Sequence, residues 1–228
     1  FYCWRSVANP SSVSTPVRVV VDPTMSGLNG CLPKEANNLC NLLELQIDFS
    51  CNVVAYSYDI SKMYNSLRKK ACSLPFQLFL WKDELEEKNT EQIWVFVVAI
   101  YGTLTSGNQA TSAIRQLAET FEEEFPKARF AIVDRTYVDD GMGGGASEKE
   151  VDEIVQEVRE VLSRGGFQLK VVTRSGVDPD PKASKDGVSV GVGGYRWSTK
   201  EDRMGLGMGE INFHRKVRGI QPPNPIPV

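Results

Sequence analysis

The sequence predicts an α+β protein built on a split β-α-β-β-α-β sheet, a ferredoxin-like arrangement with two helices, and three observations predict it. Apolar runs rich in β-branched residues stand at Val17–Val21, Val53–Tyr58, Phe130–Val138 and Phe167–Thr173. Ser106–Phe125 and the stretch after Ser147 instead repeat their apolar residues at helical spacing. From residue 53 onward the order is strand, helix, strand, strand, helix, strand, once Phe76–Ile100 is set aside as an inserted hairpin.

The 228 residues, 41% hydrophobic and 24% charged, suffice for one sizeable core or two smaller ones. No run of about 18 apolar residues is present, so no membrane-spanning helix is expected. Phe1-Tyr2-Cys3-Trp4-Arg5 lacks the charged start and apolar run of a secretory leader, and an opening on Phe reads as a piece of something longer. With 26 basic against 29 acidic residues the net charge is −3; a nucleic-acid role therefore needs a local basic stripe or a metal rather than a global field. Five cysteines (Cys3, Cys31, Cys40, Cys51, Cys72) without a C-x-x-C pair fit neither a zinc site nor a disulfide framework, and read as reduced thiols of a cytoplasmic protein. The single histidine, His214, argues against Ser-His-Asp chemistry and a His-rich metal site.

Taken in order, the first sixteen residues are rich in Ser and Pro and read as extended, and Val17–Val21 is a strand stopped by Asp22-Pro23. A helix is expected near Asn37–Ile47, with Leu39, Leu42, Leu43 and Ile47 on one face. Val53–Tyr58 is a strand broken by Asp59, with a short helical segment after it. Phe76–Trp81 and Ile93–Ile100 form a hairpin pair across the charged linker 82–92. Pro126 closes the helix Ser106–Phe125, and Phe130–Val138 is a strand ending in an Asp140-Gly141 turn. The glycine run Gly141–Gly145 after it is expected to loosen this hairpin. Ser147-x-x-Glu150 is a capping box opening a helix with Val151, Ile154, Val155, Val158, Val161 and Leu162 inward, closed by Gly165-Gly166. Phe167–Thr173 is a strand, Val188–Trp197 a last hairpin, and the proline-rich tail holds no regular structure.

This order makes a statement about carboxylates. In a split β-α-β-β-α-β sheet the first two strands run parallel with the third antiparallel between them, and neighbours lie about 4.8 Å apart. Asp59, at the end of the first strand, then meets the turn that carries Asp139-Asp140. Clustered carboxylates repel unless they are protonated or bridged by cations, and aspartate oxygens suit Mg²⁺. Two such ions about 3.5–4 Å apart clamp the attacking and leaving oxygens of a phosphoryl displacement. The ordinary reading of a lone Asp-Asp-Gly is a turn; convergence with Asp59 is what argues for more.

Tyr137-Val138-Asp139-Asp140 resembles the Y-x-D-D motif of reverse transcriptases, and Tyr58-Asp59-Ile60-Ser61-Lys62-Met63-Tyr64 resembles their first acidic motif. Arg18-Val19-Val20-Val21-Asp22 is similar to their upstream fingers strand, and Tyr101-Gly102-Thr103-Leu104-Thr105-Ser106-Gly107 to the segment before the long palm helix. Gly165-Gly166-Phe167-Gln168-Leu169-Lys170 and Gly193-Gly194-Tyr195-Arg196-Trp197 resemble the next two motifs. The six stand in order over residues 16 to 198, with wording most similar to the BEL/Pao group of LTR retrotransposons.

The resemblance implies a polymerase palm with a fingers insertion. Residues 1–52 would be an N-terminal fingers portion, 53–75 palm, 76–100 the fingers hairpin, 101–198 palm, and 199–228 a connection toward a missing thumb. It implies two Mg²⁺ ions, with Mn²⁺ as substitute, held by Asp59, Asp139, Asp140 and the Ile60 carbonyl. Catalysis is implied for the same three aspartates and for Lys170, proposed to protonate the leaving pyrophosphate, with Arg174 competing for that role. Arg18 would clamp the dNTP triphosphate, Ile60, Tyr101 and Gly102 would line the nucleotide pocket, and Tyr64 would reject a 2′-hydroxyl by bulk. Tyr137, Gly194, Tyr195 and Trp197 would brace the primer end. Implied partners are an RNA or DNA template, a DNA or tRNA-type primer, and the thumb, RNase H and other polyprotein domains absent from these residues, in the cytoplasm within virus-like particles and without a membrane. Tyr101 replaces the usual Phe or Gln, and Gly107 the usual Pro. The basic segment Asn212–Gly219 reads either as a phosphate contact or as a solvated link.

Two other readings stay open. One is a catalytically silent module of the same fold that binds nucleic acid or serves assembly. The other is an unrelated split-sheet metal phosphohydrolase, which gives Arg18 and Tyr64 no reason to stand where they do.

Overall fold

The computed structural model describes residues 1–8, 17–32, 39–82, 91–184 and 186–206; the side chains of Arg5, Arg18 and Val19 lie outside that description. Within it the chain is mixed α and β, with four small antiparallel sheets. β1 (Cys3–Ala8) pairs with β2 (Val17–Asp22), which ends where Pro23 offers no N–H. α1 (Leu28–Cys31) is a single turn, α2 spans Leu42–Ser50, and β3 (Val54–Ser61) leads into α3 (Met63–Ser66). A 3₁₀ helix over Ala71–Phe76 precedes the paired β4 (Leu78–Trp81) and β5 (Gln92–Val95), the expected hairpin. Then come α4 (Ser106–Thr120), α5 (Pro126–Asp134), β6 (Thr136–Tyr137), β7 (Asp140–Gly145), α6 (Glu148–Arg164) and β8 (Gln168–Arg174). β9 (Ser189–Val192), β10 (Tyr195–Ser198) and β11 (Arg203–Leu206) follow.

The largest sheet runs β6-β7-β3-β8, so β3 and β6 are parallel with β7 antiparallel between them, as the strand order in the sequence requires. Period-two alternation along β3 sends Tyr56, Tyr58 and Ile60 toward α4, α5 and α6, where they join Ala110, Ile114, Ala131, Ile132, Val155 and Val158 in the main core. Ala55 points the other way, with Met142 of β7, into a second core made with Leu45 and Phe49 of α2, Val190 and Val192 of β9, and Trp197 of β10. By the same alternation Asp59 shares the face of Ala55.

α6 behaves as its sequence implies. Ser147 Oγ accepts from the Glu150 N–H at 3.3 Å, while Glu150 Oε2 reaches the Ala146 N–H at 2.8 Å. At the far end Gly166 (φ 78°) turns left-handed, and the Phe167 and Gly166 N–H groups return to the carbonyls of Leu162 and Ser163. That pair of bonds is a Schellman closure, with Phe167 buried behind it.

Several local expectations are corrected. The expected strand Phe130–Val138 is helix as far as Asp134, and α4 ends at Thr120 rather than at Phe125: Pro126 opens α5, its fixed φ suiting a first turn, and Ala128, Ala131 and Ile132 bury at helical spacing. Only Thr136–Tyr137 remains as strand, so three helices rather than two cover this face. α2 begins after Asn41, whose side chain caps the Leu43 N–H at 3.1 Å. Its buried side is Leu45, Gln46 and Phe49, while the expected Leu43 and Ile47 are exposed. Asp59 does not break its strand, which continues to Ser61. β11 extends the last hairpin to three strands, an addition that the short Arg203–Leu206 run does not advertise. Residues 9–16, 33–38, 83–90 and 207–228, and with them His214, the basic Asn212–Gly219 segment and most of the charged linker, lie outside the described residues.

The glycine run that was expected to loosen the hairpin is ordered strand. Gly141 pairs with Tyr58 and Gly143 with Tyr56 across β3 and β7. A Cβ on Gly141 would stand 2.0 Å from the Tyr58 ring, and one on Gly143 would stand 2.8 Å from the Tyr56 hydroxyl. The two tyrosine rings lie over the glycine backbone, and Tyr58 Oη reaches Thr136 Oγ1 at 2.8 Å.

Candidate active site

Three elements bring the acidic residues together. β3 presents Asp59 directly opposite Asp140 of β7. The β6–β7 turn places Asp139 at its tip, where the Asp139 carbonyl accepts from the Ile60 N–H at 2.9 Å. The turn residues are Val138 and Asp139, between the paired Tyr137 and Asp140, rather than the expected Asp140-Gly141. Val138 carries φ 58°, which for a β-branched side chain is a genuine outlier. Lys62, three residues past Asp59, is also left-handed (φ 48°). Strain of this kind persists only where the surroundings over-determine it, and it gathers at functional sites.

β8 delivers the cation. Tyr58 pairs with Val172 but Ile60 pairs with Leu169, so β8 holds one extra residue opposite Asp59. This bulge at Lys170–Val171 re-aims the lysine, and Lys170 Nζ donates to Asp59 Oδ2 at 3.1 Å. Asp59, Asp140 and Lys170 then line a cavity of about 150 Å³ with Ser57, Lys182 and Gly191.

The electrostatics follow from crowding. Burial raises the Asp139 carboxyl above the ordinary range, and the neighbouring Asp59 adds to it against the pull of its own backbone N–H and of Lys170. Asp140 is pushed up to about 6 by burial first, then by the charges of Asp139 and Asp59, with Lys170 opposing. The three carboxylates therefore feel one another, and a cation among them relieves the repulsion. Their donors are hard oxygens that suit Mg²⁺ or Mn²⁺. Among the described residues, however, no three acidic, His or Cys side chains are already gathered as a metal cage, and Lys170 engages one Asp59 oxygen. The donor chemistry fits a divalent ion, and the geometry is that of an open cluster.

The aromatic residues fall beside it. Tyr64 and Tyr101 meet with ring centroids 4.4 Å apart at an interplanar angle of 51°. The Tyr64 hydroxyl is held above its usual range by burial first and then by Asp139 and Tyr101, so all three share one neighbourhood. Gly102 (φ 98°) abuts β2, since a Cβ there would stand 2.9 Å from the Val21 carbonyl oxygen. Arg18 lies on β2 opposite Val7, and its side chain lies outside the described residues.

The turn at Gly193-Gly194 (φ 53° and 86°) joins the paired Val192 and Tyr195. It is tied down by Gln46 Nε2, which donates to the Gly193 carbonyl at 2.7 Å. Tyr137 packs against the second core, and Tyr195, next after the turn, is half-buried. Trp197 is fully buried, its ring 4.9 Å from that of Phe49 and its Nε1 donating to Asp202 Oδ1 at 2.8 Å. No face of the indole is open to a primer, and its place is in the second core. Arg174 pairs with Asp152 of α6, away from Asp59.

Sequence reasoning missed Lys182, which follows a Pro-Asp-Pro run without a motif, and Asn29, whose Gly-Leu-Asn-Gly setting reads as an ordinary turn. Among the described residues no helix is long and apolar enough to cross a membrane, and none of the five cysteines is in a disulfide. Comparison with known protein families and with curated proteins returns no match for this chain.

Proposed function

We propose that this chain is the fingers-and-palm part of an RNA-directed DNA polymerase, transferring a nucleotidyl group from a dNTP to a primer 3′-hydroxyl. The observation that carries the reading is the pairing of Asp59 with Asp140 across β3 and β7, with Asp139 pinned beside them by Ile60. Asp59, Asp139, Asp140 and the Ile60 carbonyl would hold two Mg²⁺ ions, which when bound neutralise developing charge and fix the in-line geometry.

The chain's own residues do the rest. The strained Val138 turn holds Asp139 in place before substrate arrives, so no reorganisation is needed during reaction. Tyr64 and Tyr101, their rings in tilted contact, form a wall beside Asp139, where a sugar carrying a 2′-hydroxyl would collide with Tyr64. Arg18 would take the triphosphate, and Lys170, released from Asp59, would hold a proton at Nζ for the departing pyrophosphate. The Gly193-Gly194 turn and Tyr195 would support the primer over Trp197.

A second reading has its own observation. Lys170 on Asp59 offsets one of the three carboxylates without a metal, as in a catalytically silent module that keeps the fold for binding or assembly. Primer extension on RNA and DNA templates with Mg²⁺, in the wild type and Asp59→Asn, decides between them. Extension lost in the variant supports the polymerase; template binding without extension in either protein supports the silent module. Hydrolysis of a small phosphate ester without template contradicts both.

A further inference from the structure

Asn29, on the single-turn α1, uses its side-chain amide on three sides. Nδ2 donates to the Gly102 carbonyl at 3.0 Å and to Thr24 Oγ1 at 3.2 Å, and Oδ1 accepts from the Leu104 N–H at 2.9 Å. Both amide protons are engaged, and the Leu104 donor fixes which end of the amide is oxygen. The backbone of Asn29 is itself anchored, its N–H donating to the Pro23 carbonyl at 3.2 Å. On the opposite side of the bracketed loop, the left-handed Gly102 leaves no room for a Cβ against Val21 and Pro23. Residues 101–104 are thus wedged on the end of β2 and gripped by one side chain that lies 73 positions from Gly102. Tyr101 begins this segment, and its ring is the one that meets Tyr64.

We propose that Asn29 is a positioning residue for the nucleotide, acting through the backbone of Gly102 and Leu104 to hold Tyr101 against Tyr64 before substrate binds. The proposal rests on the polymerase reading, which makes those two tyrosines the wall of the nucleotide pocket. Asn29 makes and breaks no covalent bond. A preformed wall lowers the ordering cost of binding, so its loss acts on KM rather than on the chemical step.

Two variants test it. Asn29→Asp keeps the shape but turns a carboxylate oxygen toward the Gly102 carbonyl, and Asn29→Leu removes all three side-chain hydrogen bonds. The readouts are exchange of the Leu104 amide proton by NMR, and KM and kcat for dNTP addition to a primed template. The expected results are Leu104 exchange about tenfold faster in Asn29→Leu and KM about tenfold higher in both variants, with kcat within about threefold. If Asn29→Leu does not fold, Asn29→Asp carries the KM test. Unchanged KM in a folded variant, or a fall in kcat at constant KM, overturns the proposal. Leu104 exchange at the wild-type rate in Asn29→Leu removes the tether but leaves the polymerase reading standing. A wild-type chain that adds no nucleotide contradicts that reading, and with it the nucleotide role of Asn29.

Discussion

The backbone N–H of Ile60 donates to the carbonyl of Asp139 over 2.9 Å, tying the tip of the β6–β7 turn to the strand that carries Asp59. This bond joins the two halves of the acidic cluster through main chain alone, so the side chains can be altered while the frame stays. Asp139→Asn should therefore fold normally. In it the Asp140 carboxyl should titrate below the value of about 6 that it has in the wild type, because Asp139 is the largest neighbouring charge raising it. Carboxyl NMR of Asp140 in both proteins checks this; an unmoved titration would show that the two charges do not couple.

Lys170 competes with any cation for Asp59 Oδ2. Lys170→Gln should lower the Mg²⁺ concentration for half-maximal binding by up to about fivefold, the scale of a half-exposed ion pair. Metal titration followed calorimetrically is the check, and a weaker affinity in the variant would mean that the lysine orders the aspartate rather than competing for it.

Packing of Tyr58 on Gly141 gives a stability prediction independent of function. Gly141→Ala should cost ~1–3 kcal/mol, because the added methyl overlaps the ring of a fully buried tyrosine. Gly191→Ala, where no atom stands within 4 Å of the new Cβ, should lie within about 0.5 kcal/mol of wild type. Urea denaturation of both variants reads the difference.

Asp186 accepts from the Ser189 N–H at 2.8 Å, the Val188 N–H at 3.0 Å and the Ser184 hydroxyl at 2.9 Å, and these bonds hold its carboxyl well below the usual range. A depressed pKa contributes stability above the unfolded value of about 3.9 that is lost as pH falls below it. Asp186→Ala should thus melt below the wild type at pH 7, with the gap in Tm narrowing as pH drops under about 4. A gap independent of pH would assign the effect to packing alone.

Much of this arrangement was legible in the sequence, and the failures have physical causes. The β3 and β8 strands and the α6 caps follow from β-branched runs, Ser147 and Gly166, which are local signals. Convergence of Asp59 with Asp139 and Asp140 followed from strand order alone. Phe130–Val138 misled because its apolar spacing suits either period, and Pro126, which reads as a helix stop, instead opens α5 after α4 has already ended at Thr120. The bulge at Lys170, the left-handed Val138 and the burial of Trp197 are set by tertiary contacts that no local pattern encodes. Likewise, glycines in a strand look like weakness until the tyrosines that cover them are placed.

We propose that Asp59, Asp139 and Asp140 form one spot that serves nucleotide transfer. Single-turnover addition of one dNTP to a primed RNA template, by wild type and by folded Asp139→Asn at matched Mg²⁺, tests it most directly. Addition by the wild type is expected, with a loss of more than about 100-fold in the variant, beyond what removal of an outer-shell partner costs. Equal addition by both proteins, or none by either, would contradict it.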